Sequence, residues 1–85
     1  MELQELIRTV ATGKTGFIAA SASMTDLEAF QSAVMAARKA YSQGYVDYFR
    51  PHMETYSGHR FCDAFLISKV TDQGRQYAQL NDVAV

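Results

Sequence analysis

Two groups of side chains carry most of the chemistry in this sequence. Gln31, Ser32, Met35, Arg38 and Lys39 fall along one side of a segment with helical spacing. Arg50, His52, Ser57, His59 and Arg60 gather around a turn further on. A glutamine carboxamide can grip an adenine edge at two points, an arginine fork fits guanine or phosphate, and serine and lysine reach either. Arginines and neutral donors beside a turn can clamp phosphate oxygens. Each group also has a plainer account. The first is a solvated helix face, and the second a turn whose charges prevent edge-to-edge pairing. Asp26 and Glu28 count against base reading, because they put negative charge at the helix end that would enter a groove.

Other constellations are weaker. Tyr45, Tyr48, Phe49, Tyr56, Phe61 and Phe65 could stack single-stranded bases, but such residues more often form the core and cross-strand pairs of a small sheet. Gly13-Lys14-Thr15 suggests a phosphate-binding loop, yet Arg8 stands where that motif needs its first glycine, and a helix precedes it instead of a strand. His52, Glu54, His59, Cys62 and Asp63 are metal-capable but match no zinc spacing. Cys62 with either histidine lacks an orienting third group, and no carboxylate pair is placed for acid–base work. The expectation is therefore a protein that is not an enzyme and needs no cofactor or metal.

The elements that must position these residues read as follows. Leu3, Leu6, Ile7 and Val10 predict a helix over 2–12, stopped at Gly13. Residues 14–24 admit a short strand, a helical turn, or one followed by the other, with extended chain preferred at Phe17–Ile18. Thr25 and Glu28 read as a capping box. Leu27, Phe30, Val34, Ala37 and Tyr41 then make the inward stripe of a helix over 25–42, ended by Gly44. Glu28, Gln31, Ser32, Met35 and Lys39 are left on its opposite face. A strand begins at Tyr45, with Pro51 marking an edge, a bulge or the end of pairing. After turn residues 56–59 a strand returns over 60–69, apolar on both faces, so its register stays open. Thr71 caps a last short helix whose inward residues are Tyr77, Ala78 and Leu80. The whole is one α+β domain over residues 1–80, with a frayed tail at 81–85.

Composition sets the frame. The 85 residues are 48% hydrophobic and 20% charged, with one proline and one cysteine. One cysteine closes no internal disulfide, which suits a reducing compartment. The N-terminus is acidic where a secretory leader needs positive charge, and Gly16–Met24 is far short of the roughly 20 apolar residues that span a bilayer. A cytoplasmic location and no membrane association are expected. Net charge is −1, so no overall basic balance argues for nucleic acid. Residues 31–60 nonetheless set Arg38, Lys39, Arg50 and Arg60 against Asp47 and Glu54, a local excess of +2.

The stretch from Gly44 to Gln79 resembles the latter half of many small prokaryotic and phage winged-helix proteins. Its anchors are Gly44-Tyr45-Val46, where a helix gives way to the wing hairpin, and Val70-Thr71-Asp72-Gln73-Gly74-Arg75, which enters the last helix. The resemblance covers roughly residues 25–80. It implies a winged helix-turn-helix fold in which 25–42 is the recognition helix and the hairpin tip meets the phosphate backbone. The chain departs from that pattern at 14–24, where the family has a distinct second helix. The resemblance implies a small sequence-specific DNA-binding protein, a transcriptional regulator acting as a homodimer on double-stranded DNA through Gln31, Ser32, Met35, Arg38, Lys39, Arg50, His59 and Arg60. The alternative is the same scaffold serving as a protein-interaction module. The near-neutral charge, the acidic first helix and Met35 on a polar face all suit that alternative.

Overall fold

A computed structural model of the chain describes residues 1–55, 58 and 61–79. Three helices and three strands follow one another as α1 (Leu3–Ala11), β1 (Gly16–Ile18), α2 (Met24–Ser42), β2 (Val46–Met53), β3 (Cys62–Val70) and α3 (Asp72–Ala78). The strands form one antiparallel sheet in the order β1–β3–β2, so the last strand lies between the other two. The α+β expectation holds, and the uncertain 14–24 segment resolves into a three-residue strand followed by irregular chain. The frayed tail at 81–85 lies outside the described residues, as do Tyr56, Ser57, His59, Arg60 and Leu80.

The helices cover one side of the sheet. Leu6, Ile7 and Val10 of α1 meet Val34, Ala37 and Ala40 of α2 over Phe17, Phe65 and Ile67. Alanines at 36, 37 and 40 let α1 and α2 approach closely, since a longer side chain there would hold them apart. Phe65 is the centre of this core. Its ring lies 5.0 Å from that of Phe17, 5.5 Å from Phe30 and 5.7 Å from Phe49, the offset and tilted spacings that aromatic pairs favour.

The start of α2 differs from the sequence reading. Its N-cap is Ser23, whose hydroxyl accepts the Asp26 N–H at 3.2 Å, so Thr25 and Glu28 do not form the box. Ser21 donates its hydroxyl to the Asp26 carboxylate at 2.5 Å and accepts the Ser23 N–H, completing a polar knot two residues earlier than predicted. Tyr41, assigned to the inward stripe, is half exposed and tilts onto Phe49. Ala36 and Ala40 are buried instead.

The end of α2 is fixed by two reverse hydrogen bonds, Gly44 N–H to Tyr41 C=O and Tyr45 N–H to Ala40 C=O. This closing motif needs a left-handed residue, which Gly44 supplies with φ of 79°. The corner so formed receives α3. The Thr71 N–H donates to the Tyr45 carbonyl and its hydroxyl to the Gly44 carbonyl at 2.6 Å. The same hydroxyl accepts the Gly74 N–H at 3.0 Å and so caps α3, as predicted. Tyr77 stacks on Tyr45 at 4.6 Å, and Arg8 Nε donates to the Ala78 carbonyl, closing α1 onto α3. The two short sequence anchors thus meet in space.

The register of β3, open from the sequence, is set by a bulge. His52 faces Ala64 but Met53 faces Cys62, so Asp63 is an extra residue on β3. The slip changes the parity of the inward positions from odd (Phe65, Ile67) to even (Cys62). That accounts for Cys62 among the apolar residues of the second face, while Ala64 and Leu66 remain on the side away from the helices.

Candidate functional site

On α2 the side turned away from the core is a ridge of Glu28, Ser32, Met35, Lys39 and Ser42, all exposed. Its helical rows run three and four residues apart, so these side chains stand one above another. Met35 is 69% exposed, an unusually open position for a large apolar side chain on a polar ridge. Ser32 donates to the Ala29 carbonyl and accepts the N-terminal amino group of Met1 at 3.2 Å, which brings the start of the chain to the ridge's upper edge.

Gln31 and Arg38 lie on the flank between this ridge and the hairpin. Gln31 is half-buried, and its carboxamide nitrogen donates to the carbonyls of Leu27 (2.9 Å) and Cys62 (2.7 Å). The sequence placed it on the free face; the structure uses it as a strut between α2 and β3. With both amide hydrogens taken, gripping an adenine would require breaking these bonds. Arg38 is exposed and stands 5.7 Å over the Phe49 ring, a contact of about 0.5–1 kcal/mol at such a site.

Arg50 belongs to a different surface. Phe49 and Phe65 face the helices, so Arg50, one residue on and paired with Leu66, projects from the sheet's other side. His52 is on that side too. Its Nδ1 lies 2.7 Å from the Asp63 carboxylate, with the imidazole 72% exposed and the carboxylate mostly covered. The sequence offered both residues only as members of a loose cluster. The bulge that brings the extra Asp63 beside His52 has no sequence marker, since it depends on pairing across the hairpin. Ser57, His59 and Arg60 lie outside the described residues, so the site residues come together as Ser32, Met35, Arg38 and Lys39 on one surface and Arg50 on another.

Among the described residues, Glu54 is the one charged side chain that is buried. Its Oε1 accepts the Phe61 N–H at 3.1 Å while its own N–H donates to the Phe61 carbonyl, which carries the hairpin pairing one step past the strands. Among the described residues, no group of three or more His, Cys, Asp or Glu side chains could hold a metal ion. No described helix is long and apolar enough to cross a membrane. In comparisons with protein-family models, curated proteins and solved structures, nothing matches the chain.

Proposed function

We propose that the chain is a small DNA-binding protein of winged-helix type, acting as a transcriptional regulator. In this reading α2 enters the major groove and the β2–β3 hairpin is the wing. The observation that carries it is the exposed ridge of Ser32, Met35 and Lys39, flanked by Arg38, on a long helix that Gln31 ties to the hairpin. The sheet order, with β3 between β1 and β2, supports the same reading, and both strands of the hairpin pack against α2. Ser32 and Lys39 contact bases or phosphates and Arg38 takes guanine or phosphate, while Gln31 holds the helix in place. A domain this small covers only a few base pairs, so a homodimer on a two-fold site is part of the proposal.

The test is duplex binding as a function of salt. Each phosphate contact contributes a slope of about −0.9 in log affinity against log salt, so Arg38→Ala with Lys39→Ala should flatten the slope by about 2. A wild-type slope near zero, or an unaltered one in the double variant, ends the proposal.

One observation favours a second reading, a protein-interaction module on the same scaffold. Arg50 does not continue the positive edge of Arg38 and Lys39, and Met35 offers an adaptable apolar contact in the middle of the ridge. In this reading Met35→Ala abolishes partner capture, and duplex DNA binds no more tightly than to any weakly acidic protein.

A further inference from the structure

The sheet surface facing away from the helices is built as a checkerboard. Across the three strands one row reads Gly16, Leu66, Arg50 and the next Ile18, Ala64, His52, by the pairing of β1 and β2 with β3. Large and small residues alternate, so the space above Gly16 and Ala64 stays open between their taller neighbours. The result is a hollow of about 590 Å³, within the roughly 300–1,000 Å³ typical of small-molecule pockets. Its walls are apolar where Ile18 is 79% and Leu66 47% exposed, an uncommon cost for aliphatic side chains facing water.

The opposite rim is cationic. Arg50 makes no hydrogen bond or ion pair among the described residues, so its guanidinium fork is free. His52 is held by Asp63 through Nδ1, which leaves Nε2 as the atom turned to a visitor. Arg50 therefore supplies the charge that meets an anion, and His52 stands beside it on the rim.

We infer that this hollow binds a small amphipathic anion, an acyl or aryl carboxylate whose apolar body lies against Ile18 and Leu66 and whose head meets Arg50. Charge decides against a second copy of the chain as the occupant. A two-fold sheet-on-sheet contact sets the Arg50 and His52 of both copies on one small face, and Asp63, the carboxylate beside His52, is already engaged by it. A carboxylate ligand neutralises what a second copy repeats. The site is independent of the nucleic-acid proposal, since it lies on the side of the sheet away from α2.

Octanoate is the probe and octan-1-ol its uncharged control, each titrated into the full chain while backbone amide resonances are followed. Octanoate should give saturable shifts centred on Ile18, Arg50 and Leu66, with the alcohol at least tenfold weaker. Arg50→Gln should weaken octanoate about tenfold, consistent with loss of one charge-assisted contact, and leave the alcohol unchanged. Ala64→Leu should fill the hollow and remove binding of both probes, with the melting curve retained. Arg38→Ala with Lys39→Ala should leave octanoate binding intact, so failure of the duplex proposal is read separately. Equal affinity for acid and alcohol, an Arg50→Gln variant that binds like wild type, or shifts scattered over α2 would each overturn the inference. So would a dimer in sedimentation whose interface protects these amides.

Discussion

Replacing Gly74 with alanine sets a methyl group against backbone that cannot move aside. A Cβ built at Gly74 falls 2.2 Å from the Tyr45 carbonyl oxygen and 3.0 Å from its carbonyl carbon, well inside contact distance. The obstacle is main chain, fixed by the closing motif of α2 on one side and the first pair of β2 with β3 on the other. Relief must come from α3 shifting away. That shift endangers the Thr71–Tyr45 hydrogen bond, worth about 1 kcal/mol, and the Tyr45–Tyr77 stacking, worth about 0.5–1.5 kcal/mol beyond its buried area. Overpacking of this kind costs about 1–3 kcal/mol in general. Alanine is the better helix former by about 1 kcal/mol, which offsets part of the loss. The expected net is destabilisation by up to about 2 kcal/mol. In a domain of this size that lowers Tm by up to about 16 °C, at roughly 4–8 °C per kcal/mol. Thermal melting followed by helical circular dichroism, with the urea midpoint as a second measure, reads the effect directly. Gln76→Ala, at an exposed position of the same helix, is the control and should change little. If Gly74→Ala melts at or above wild type, helix propensity governs the position and the close approach of α3 to the Tyr45 backbone is wrong.

Three further substitutions test separate parts of the structure. Phe65→Ala removes the ring that three other aromatics surround and should cost about 3–5 kcal/mol, most of the stability of a small domain, as a collapse of the urea midpoint. Ser23→Ala should cost about 1 kcal/mol through loss of the α2 cap, whereas Thr25→Ala should be close to neutral; the reverse order in melting temperature would restore the capping box expected from sequence. Gln31→Leu leaves the Cys62 carbonyl without its side-chain donor and should destabilise by about 1–3 kcal/mol; a variant as stable as wild type would free Gln31 for ligand contact.

The helices were legible because their signals are local. The apolar spacing of Leu6, Ile7 and Val10, the stop at Gly44 and the cap at Thr71 each operate within a few residues, and all three hold. The cap of α2 was misplaced by two residues because Ser21, Ser23 and Thr25 are all capable caps and both Asp26 and Glu28 can answer them. Periodicity cannot choose between caps that share one short stretch. The β3 register stayed open for a different reason: it is decided by what lies across the hairpin, and the extra residue at Asp63 exchanges inward for outward positions near the start of the strand. Site residues divided in the same way. Lys39 and Met35 were placed correctly on the open side of α2 by helical phase alone. Gln31 has nearly the same phase, but a strand carbonyl stands within 2.7 Å of its amide, and nothing in its own helix announces that neighbour.

The connection between α1 and α2 bears most on how the ridge is presented. The resembling family sets a further short helix here, which forms the helix-turn-helix with the recognition helix. In this chain β1 occupies part of the span, its pairing with β3 extended by the Ala19 N–H to the Asp63 carbonyl. The chain then reaches α2 through the knot of Ser21, Ser23 and Asp26. The orientation of α2 therefore rests on the sheet, through Gln31 on β3, Arg38 over Phe49 of β2 and the buried stripe of Leu27, Val34 and Ala37. Helix and hairpin are held as one body by β3, which touches every element of that arrangement. A change confined to β3 at Cys62–Asp63 should thus alter the angle between ridge and hairpin, whereas the same change in α1 should alter stability and leave that angle alone.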